Sequence, residues 1–247
     1  MSVISLRGVG KTYGHGHRAV TALSGVDLQI QRGEFVCLIG ASGCGKSTIL
    51  NLVAGLDQPT TGALSIDGTT TLMFQEAALF PWLTVQANVE LPMRLAGVPR
   101  DERRQRANEL IETVHLGGFN NKRPHQLSGG MRQRGALARA LAQNTDILLM
   151  DEPFGALDAM TRDTLHEELE ALVGSRRTTV VFVTHNVREA ARLGDRIVVM
   201  SPRPGRVTAN IDVDIERPRR IDSAAVSALA REVTDTMREE VLAHARR

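Results

Sequence analysis

A glycine-rich segment near the start of the chain limits its possible folds more than any other feature. Residues 40–48 (GASGCGKST) follow an apolar run at residues 35–39 and precede a helical pattern at residues 49–54. The order is therefore strand, glycine-rich loop and helix, and the pattern G-x-x-x-x-G-K-[ST] is complete. Glycine lets the backbone curve closely around an anion, and the unpaired amides at a helix start favour negative charge.

The residue types in this loop indicate which anion it binds. Lys46 can reach the β- and γ-phosphates of a nucleotide, and the Ser47 hydroxyl can ligate Mg²⁺. The residues predicted to hold the phosphates are Gly40, Ser42, Gly43, Cys44, Gly45, Lys46, Ser47 and Thr48. A chance match is the alternative, and the flanking strand and helix argue against it. We expect a nucleoside triphosphate with magnesium, although the loop does not indicate what the triphosphate drives.

Composition narrows the class of protein. With 247 residues, 42% of them hydrophobic, the chain can bury a large core as one domain or as one domain with an inserted lobe. The net charge of +2 gives no electrostatic case for a nucleic-acid partner. No apolar run approaches the roughly 18–20 residues needed to span a bilayer, and the first residues lack a signal-peptide layout. Cys37 and Cys44 form neither a disulfide framework nor a metal-ligand spacing, so we expect a reduced, cytoplasmic protein.

The first part of the chain is rich in strands. Residues 1–35 alternate apolar and polar residues in short bursts, separated by turn signals at residues 13–17 and 31–34. This pattern predicts an antiparallel β lobe that leads into the strand before the glycine-rich loop. Further short strands are expected near residues 63–66 and 71–74.

The middle of the chain is helical in pattern and the last part alternates. Residues 85–141 form an expected helical subdomain, inserted between strand-rich regions. Its predicted breakers are Pro92, Gly97, Pro99, Gly117, Gly118 and Pro124.

The segments that follow are predicted as strand 146–151, helix 161–173, strand 178–184, helix 186–193 and strand 196–200. This alternation indicates a parallel sheet flanked by helices. Apolar residues at helical spacing in the tail, from Val226 to Val241, indicate packing rather than a ligand site.

Two carboxylates end one of these strands. Asp151 and Glu152 follow the apolar residues 147–150. Ligand chemistry in an α/β sheet lies at the carboxyl ends of its strands. Asp151 suits the shell of a magnesium ion, and Glu152 can polarise an attacking water as a general base. Acidic strand ends are common in such folds, so a structural role for the pair is an equal alternative.

A second glycine-rich helix start precedes these carboxylates. Ser128, Gly129 and Gly130 come directly before a helical run, so they form either a second anion-binding helix start or a simple helix cap. With its position before the strand ending in Asp151 and Glu152, the segment resembles the signature motif of the nucleotide-binding subunits of ABC transporters.

That resemblance extends from Tyr13 to about Arg206. It implies that the Tyr13 ring stacks on adenine and that Gln75 senses Mg²⁺ and the attacking water. It also implies that residues 155–158 form a loop at a dimer interface and that His185 reaches the γ-phosphate. The implied catalytic residues are Glu152, His185 and Gln75, and the implied metal ligands are Ser47, Gln75 and Asp151. Each element alone is weak, but all occur in the family's order.

The fold implied is the α/β P-loop NTPase of ABC type, with a mixed sheet core, an antiparallel β lobe and an inserted helical subdomain. One ABC ATPase domain would span residues 1–247. Residues 1–84 and 142–210 would form the catalytic core with its β lobe, and 85–141 the helical subdomain. Residues 211–247 would form a helical tail.

The resemblance also implies how such a chain works. Two copies would pack head to tail in the ATP-bound state, each site pairing the P-loop of one with Ser128, Gly129 and Gly130 of the other. Closure on ATP and release after hydrolysis would do the work. Separate integral membrane permease subunits would form the pore, a solute-binding protein would act indirectly, and the chain would lie on the cytoplasmic face of the cell membrane.

Several segments are similar to importers for nitrate, sulfonates, taurine and related anions, among them Phe80-Pro81-Trp82. Trp82 is equally well explained as a partner contact or as helical-subdomain core. Lys46 and Gln75 are 29 positions apart, fewer than in the family, and we expect a shortened hairpin near residues 67–71. The competing hypotheses are a soluble ABC ATPase that acts on a nucleic-acid or ribosomal partner, and a regulatory ATPase without transport.

Overall fold

Two β-sheets organise the chain, and helices cover the larger one. The computed structural model describes residues 1–155 and 157–245. The strands are β1 (Ser2–Tyr13), β2 (Val20–Gln31), β3 (Phe35–Gly40), β4 (Thr61–Ile66), β5 (Thr70–Met73), β6 (Ile147–Asp151), β7 (Thr179–Val183), β8 (Arg196–Met200) and β9 (Val207–Asp212). The helices are α1 (Lys46–Val53), α2 (Val85–Leu95), α3 (Arg100–Thr113), α4 (Gly129–Leu141), α5 (Ala159–Arg176), α6 (Val187–Leu193) and α7 (Ala224–Ala245), with short 3₁₀ turns at Gly16–Arg18 and Pro124–Gln126.

The smaller sheet is the predicted antiparallel lobe, with strand order β2-β1-β4. Its first two strands each run for 12 residues, where the sequence pattern predicts short bursts. The difference arises because the register between β1 and β2 shifts, for example between Leu6 and Val9. Such bulges interrupt the apolar alternation along the sequence without ending the strand.

The larger sheet has the order β5-β6-β7-β3-β8-β9. The first five strands are parallel and β9 is an antiparallel edge. Every residue of the central strand β3 is buried, as expected for a parallel strand covered on both faces. Alternate side chains of β3 enter two different cores: Cys37 and Ile39 pack with the helical segment, whereas Val36 and Leu38 pack with the antiparallel lobe.

The edge strand β9 is not among the strands predicted from sequence. Its apolar residues Val207, Ala209 and Ile211 alternate with polar ones and are the less exposed set. This period of two is the signal that would have identified a half-buried strand.

The connection from β4 to β5 is not the shortened hairpin that the sequence predicts, so that prediction is wrong. β4 pairs with β1, whereas β5 pairs with β6, so residues 67–69 carry the chain from one sheet to the other. Asp146 holds this link, because its Oδ2 accepts hydrogen bonds from the amide and the hydroxyl of Thr69, both at 2.8 Å. Gly68 has φ 129° and passes so close to Asp146 that an added Cβ would lie 2.9 Å from the Asp146 Cβ. The short spacing between Lys46 and Gln75 therefore reflects a direct connection from the smaller sheet to the larger one.

Helices α2, α3 and α4 pack on one another beside the larger sheet. Pro92, predicted as a breaker, lies inside α2, so that prediction is wrong. Proline removes one intrahelical N–H, but Val89 and Met93 on either side are buried, and packing of this face keeps the helix intact.

The C-terminal helix α7 contacts α6. Val226 and Val233 are fully buried and Met237 packs against the same core, whereas Val241 is 47% exposed, so the predicted apolar stripe packs as far as Met237. Within residues 1–155 and 157–245, no helix is both long enough and apolar enough to cross a membrane.

Candidate functional site

The predicted site residues converge on one edge of the larger sheet. Strands β6, β7 and β3 are adjacent and parallel, so their carboxyl ends lie together. The segment 40–48 leaves β3, Asp151 ends β6, and His185 follows β7 closely. This is the edge at which an open parallel sheet presents its ligand chemistry.

The glycine-rich loop is shaped by its backbone and by Lys46. Gly45 has φ 101°, and an added Cβ would lie 2.5 Å from Leu23 Cδ2, so only glycine fits there. Lys46 Nζ donates to the carbonyls of Gly40 at 2.9 Å and Ala41 at 3.2 Å, which closes the loop on itself. No side chain in the described part of the chain caps α1. The amides at this helix start are therefore available to an anion.

Cys44 is packed inside this loop, with its side chain turned away from solvent. Its side chain is 1% exposed, and Sγ lies 3.8 Å from Lys46 Nζ. The Cys44 amide donates to Ala41 O at 3.2 Å in a turn. Ser42, Gly43 and Ser47 are exposed, so these three residues form the solvent-facing side of the loop.

Asp151 and Ser47 form a polar pair beside the loop. Burial raises the pKa of Asp151, while a hydrogen bond with Ser47 and the charge of Lys46 oppose that rise. Carboxylate and hydroxyl oxygens are hard ligands of the kind that Mg²⁺ takes. The described residues contain no group of three or more His, Cys, Asp or Glu placed to hold a metal. Asp151 and Ser47 would supply two oxygen ligands to such an ion, and phosphate and water oxygens suit its remaining positions.

Glu152 and His185 are in direct contact. Glu152 Oε2 lies 3.0 Å from His185 Nδ1, and the Glu152 amide donates to Val183 O at 2.9 Å. Glu152 has φ 45°, a left-handed conformation that costs a non-glycine residue about 1–3 kcal/mol. Such strain persists only where the surroundings fix it. The structure thus brings together two predicted catalytic residues.

Gln75 leaves the sheet at the same level as Glu152. Met73 pairs with Met150, so each residue lies two positions beyond this register pair. The register that leads to Gln75 is therefore regular despite its short spacing from Lys46. The Gln75 side chain is exposed, whereas the Gln75 backbone carbonyl accepts from Gln133 Nε2 at 3.2 Å.

Gln133 is a residue that the sequence prediction missed. It is only 4% exposed, on the same face of α4 as Ala136, Leu137 and Ala140. A polar residue at an apolar position of a helix is the signal that could have found it, because buried polar groups need partners.

Other predicted site residues lie apart from this group. Tyr13 ends β1 with 39% exposure, and Lys11 Nζ lies 5.0 Å from its ring centroid. Ser128 caps α4, accepting from the Met131 amide at 3.2 Å, and Gly129 is exposed beside it. Among the described residues, no hydrogen bond or ion pair joins residues 128–130 to the glycine-rich loop.

Part of the segment predicted at a dimer interface can be described. Ala156 lies outside the described residues. Asp158 caps α5, since its Oδ1 accepts from the Thr161 amide at 3.0 Å and its Oδ2 from the Thr161 hydroxyl at 2.7 Å.

An aromatic surface lies between the site and α2. Trp82 is 67% exposed, so its interpretation as helical-subdomain core is wrong. Its ring centroid lies 5.4 Å from that of Phe80, and Arg139 lies 5.7 Å from the Phe80 ring. Phe80 and Arg139 also line a cavity of about 370 Å³, together with Leu91 and Pro92 of α2.

Known proteins resemble this chain closely. The model of the ABC transporter family matches residues 23–155. The taurine import ATP-binding protein TauB of Rhizobium johnstonii is 45% identical over 234 residues, which cover 92% of this chain and 89% of that protein. The nitrate import ATP-binding protein NrtD of a Synechocystis species is 43% identical over 213 residues, covering 81% and 80%.

A solved structure matches as well. It is a dimeric, post-hydrolysis state of the ATP-binding cassette MJ0796 bound to ADP and Pi, with a TM-score of 0.78 and 38% identity over 86% of this chain and 100% of that one. These matches confirm the fold predicted from the motifs. Since the family model covers more than half of the chain and TauB more than nine-tenths, the chain belongs to the ABC transporter family.

Proposed function

We propose that this chain binds and hydrolyses ATP to energise a membrane importer for a small anion. The contact between Glu152 and His185, beside the phosphate loop, is the observation that carries the hydrolytic part. The importer part rests on relatives named for taurine, nitrate, aliphatic sulfonates and bicarbonate. One ATPase domain spans residues 1–247, with 1–84 and 142–210 as its core, 85–141 as the helical subdomain and 211–247 as the tail.

The loop and its neighbours bind the nucleotide. Lys46 exchanges its contacts with the Gly40 and Ala41 carbonyls for phosphate oxygens, which offer stronger, charge-assisted hydrogen bonds. The amides and hydroxyls of the eight loop residues named above surround the phosphates, and the exposed Tyr13 ring stacks on the base. Ser47, Asp151 and Gln75 would hold Mg²⁺, and the ion would neutralise charge that develops on the phosphates.

We assign hydrolysis to residues that follow the carboxyl ends of β5, β6 and β7. The Glu152 carboxylate accepts a proton from the attacking water, and Gln75 orients that water from the neighbouring strand. His185 fixes the Glu152 carboxylate through the 3.0 Å contact and reaches the γ-phosphate with the rest of its ring. The 69% exposure of the His185 side chain leaves it accessible to that phosphate.

A second copy of the chain completes each site. Ser128, Gly129 and Gly130 lie at an accessible helix start, and among the described residues no hydrogen bond or ion pair joins them to the phosphate loop of their own chain. The dimeric cassette among the solved relatives supports their use on the partner's nucleotide. ATP then joins the two copies, and its hydrolysis releases them.

Transport requires subunits that cross the membrane. The exposed Phe80 and Trp82 and the cavity beside them form the surface that receives a helix of an integral membrane permease. The chain would then be peripheral on the cytoplasmic face of the cell membrane. A solute-binding protein would deliver the anion to the permease without touching this chain.

The test is co-purification with tagged Glu152→Gln protein and Mg-ATP from membranes dissolved in mild detergent. We expect the variant to bind ATP, to hydrolyse it at least about 100-fold more slowly, and to carry a polytopic membrane subunit with it. Glu239→Gln, an exposed carboxylate on α7, is the matched control and should behave as wild type.

Two results would contradict the proposal in different ways. Recovery of ribosomes or DNA-associated proteins would favour the competing ABC ATPases that act on nucleic-acid or ribosomal partners. Normal hydrolysis by Glu152→Gln would remove Glu152 as the general base.

A further inference from the structure

The residues on either side of His185 are fixed by one buried hydroxyl. Thr184 Oγ1 donates to Glu189 Oε2 at 2.7 Å and accepts from the Asn186 amide at 3.0 Å. Thr184 is 3% exposed and Glu189 is 5% exposed. The loop between β7 and α6 is therefore pinned before and after His185, whose own side chain is exposed.

The first turn of α6 strengthens this arrangement. Asn186 Oδ1 accepts from the amides of Arg188 at 3.1 Å and Glu189 at 3.4 Å, so it caps the helix that carries Glu189. The cap fixes the backbone from which the Glu189 side chain extends. The hydrogen bond that Glu189 accepts from Thr184 then fixes the loop relative to α6.

The other oxygen of Glu189 faces α5. Arg162 Nε lies 3.5 Å from Glu189 Oε1, and Arg162 Nη2 donates to Leu157 O at 2.8 Å. His166 Nε2 lies 3.9 Å from the same oxygen, and its ring has no hydrogen-bond partner among the described residues. Desolvation, followed by the charges of Arg192 and Arg162, lowers the pKa of His166 to about 3, so it faces Glu189 as a neutral ring.

Stability alone does not account for a carboxylate in this place. Burial raises the pKa of Glu189, and the hydrogen bond from Thr184 opposes that rise. A buried ion pair stabilises a fold only with close geometry, and the Arg162 contact is longer than a hydrogen bond. The close contact of Glu189 is the one to Thr184, next to a predicted catalytic residue.

We propose that Glu189 is a positioning residue for ATP hydrolysis: through Thr184 it holds His185 against Glu152, and through Arg162 it ties this loop to Leu157. The inference rests on the proposed ATPase function. Because reaction rates fall steeply when reacting groups are misplaced, loss of this support lowers turnover more than nucleotide binding. Glu189 itself does not touch the nucleotide.

The first test compares variants at Thr184 by steady-state ATP hydrolysis. Thr184→Val removes the hydroxyl at nearly constant shape, and we expect kcat to fall about ten-fold with KM for ATP within about two-fold. Thr184→Ser restores the hydroxyl and should recover most of kcat. Thr179→Val is the matched control, because Thr179 is equally buried at the other end of β7, where its hydroxyl accepts from the Gly33 amide. It should leave kcat unchanged.

The second test asks whether Glu189 acts through His185. Glu189→Leu, which removes both carboxylate oxygens, should lower kcat in the wild-type background but have no further effect on the residual rate of a His185→Ala variant. Additive losses would overturn the proposal. Arg162→Gln removes the 3.5 Å contact with Glu189 and the hydrogen bond to the Leu157 carbonyl, but it leaves the hydrogen bond between Thr184 and Glu189 intact. It should therefore lower kcat by a smaller factor, about three-fold.

The outcomes separate this inference from the function on which it rests. An active wild type with an unaffected Thr184→Val variant would overturn the positioning role alone. A wild-type dimer without ATP turnover would overturn the proposed function, and this inference with it.

Discussion

Two helices of this chain begin at glycine-rich segments, α1 directly after one and α4 with Gly129 and Gly130 as its first residues, and their starts are built differently. At α1 the residue before the helix, Gly45, is left-handed and no described side chain caps the helix, while Lys46 is buried against the loop carbonyls. At α4 Ser128 caps the helix itself, and Ser128 and Gly129 are exposed.

The difference indicates which of the two helix starts could bind an anion using residues of one chain alone. The loop before α1 lies on the edge of the sheet beside Asp151 and Glu152, so the predicted anion site, the predicted metal ligands and the predicted base all come from one copy. The start of α4 keeps the field of its helix, but among the described residues no hydrogen bond or ion pair joins residues 128–130 to a predicted catalytic side chain. It gains a role only when another surface is brought to it, which is what the dimer proposal supplies.

The strongest way to break this comparison is Lys46→Ala. We expect ATP affinity to fall about 100-fold, because charge-assisted hydrogen bonds of the kind that Lys46 would make contribute about 1.5–3 kcal/mol each. Equilibrium binding of a fluorescent ATP analogue measures it, with Lys122→Ala, at an exposed position, as the control. Unchanged affinity would show that the first helix start is not the primary site.

The second helix start is tested by a matched pair, Ser128→Asp and Ser128→Asn. Both residues cap helices as well as serine, so α4 should keep its stability within about 0.5 kcal/mol. Only Asp adds a negative charge that repels a triphosphate. We expect Ser128→Asp to reduce ATP hydrolysis about ten-fold without weakening ATP binding to the isolated chain.

Ser128→Asn should remain within about three-fold of wild type, because it adds no charge. Equal activity of the two variants, measured at a concentration where dimers form, would contradict the role of this start in a second copy's site.

The smallest effect is expected at Tyr13, which belongs to neither helix start and would contact only the base. Tyr13→Ala should raise KM for ATP about five-fold, corresponding to about 1 kcal/mol of lost aromatic contact, while Tyr13→Phe keeps the ring and the affinity. Steady-state kinetics measure both. An equal loss in the two variants would assign the effect to the hydroxyl and argue against stacking.

Sequence patterns were most successful where a function depends on neighbouring residues. The phosphate loop is a contiguous motif between a strand and a helix, and the structure has both where they were predicted. The strand ending at Asp151 and the loop at His185 were found in the same way, and the 3.0 Å contact between Glu152 and His185 brings these two local predictions together. Their roles in catalysis remain predictions.

Patterns were least successful where the answer depends on a distant residue. Trp82 is a large aromatic residue of the kind that usually lies in a core, yet it is exposed. Gln133 is polar, yet it is buried and donates to the Gln75 backbone carbonyl. Thr184 and Glu189 have ordinary local surroundings, and only the turn between β7 and α6 places one hydroxyl on one carboxylate.

The sequence by itself determined most of the order of strands and helices, except for β9, together with the phosphate loop and the family, because these depend on local periodicity and contiguous motifs. The tertiary structure decided that β4 and β5 join different sheets, that Pro92 stays within a helix, and that Glu189 lies behind His185. The physical reason is that strand pairing and burial are set by contacts between residues far apart in sequence, and those contacts override local preference.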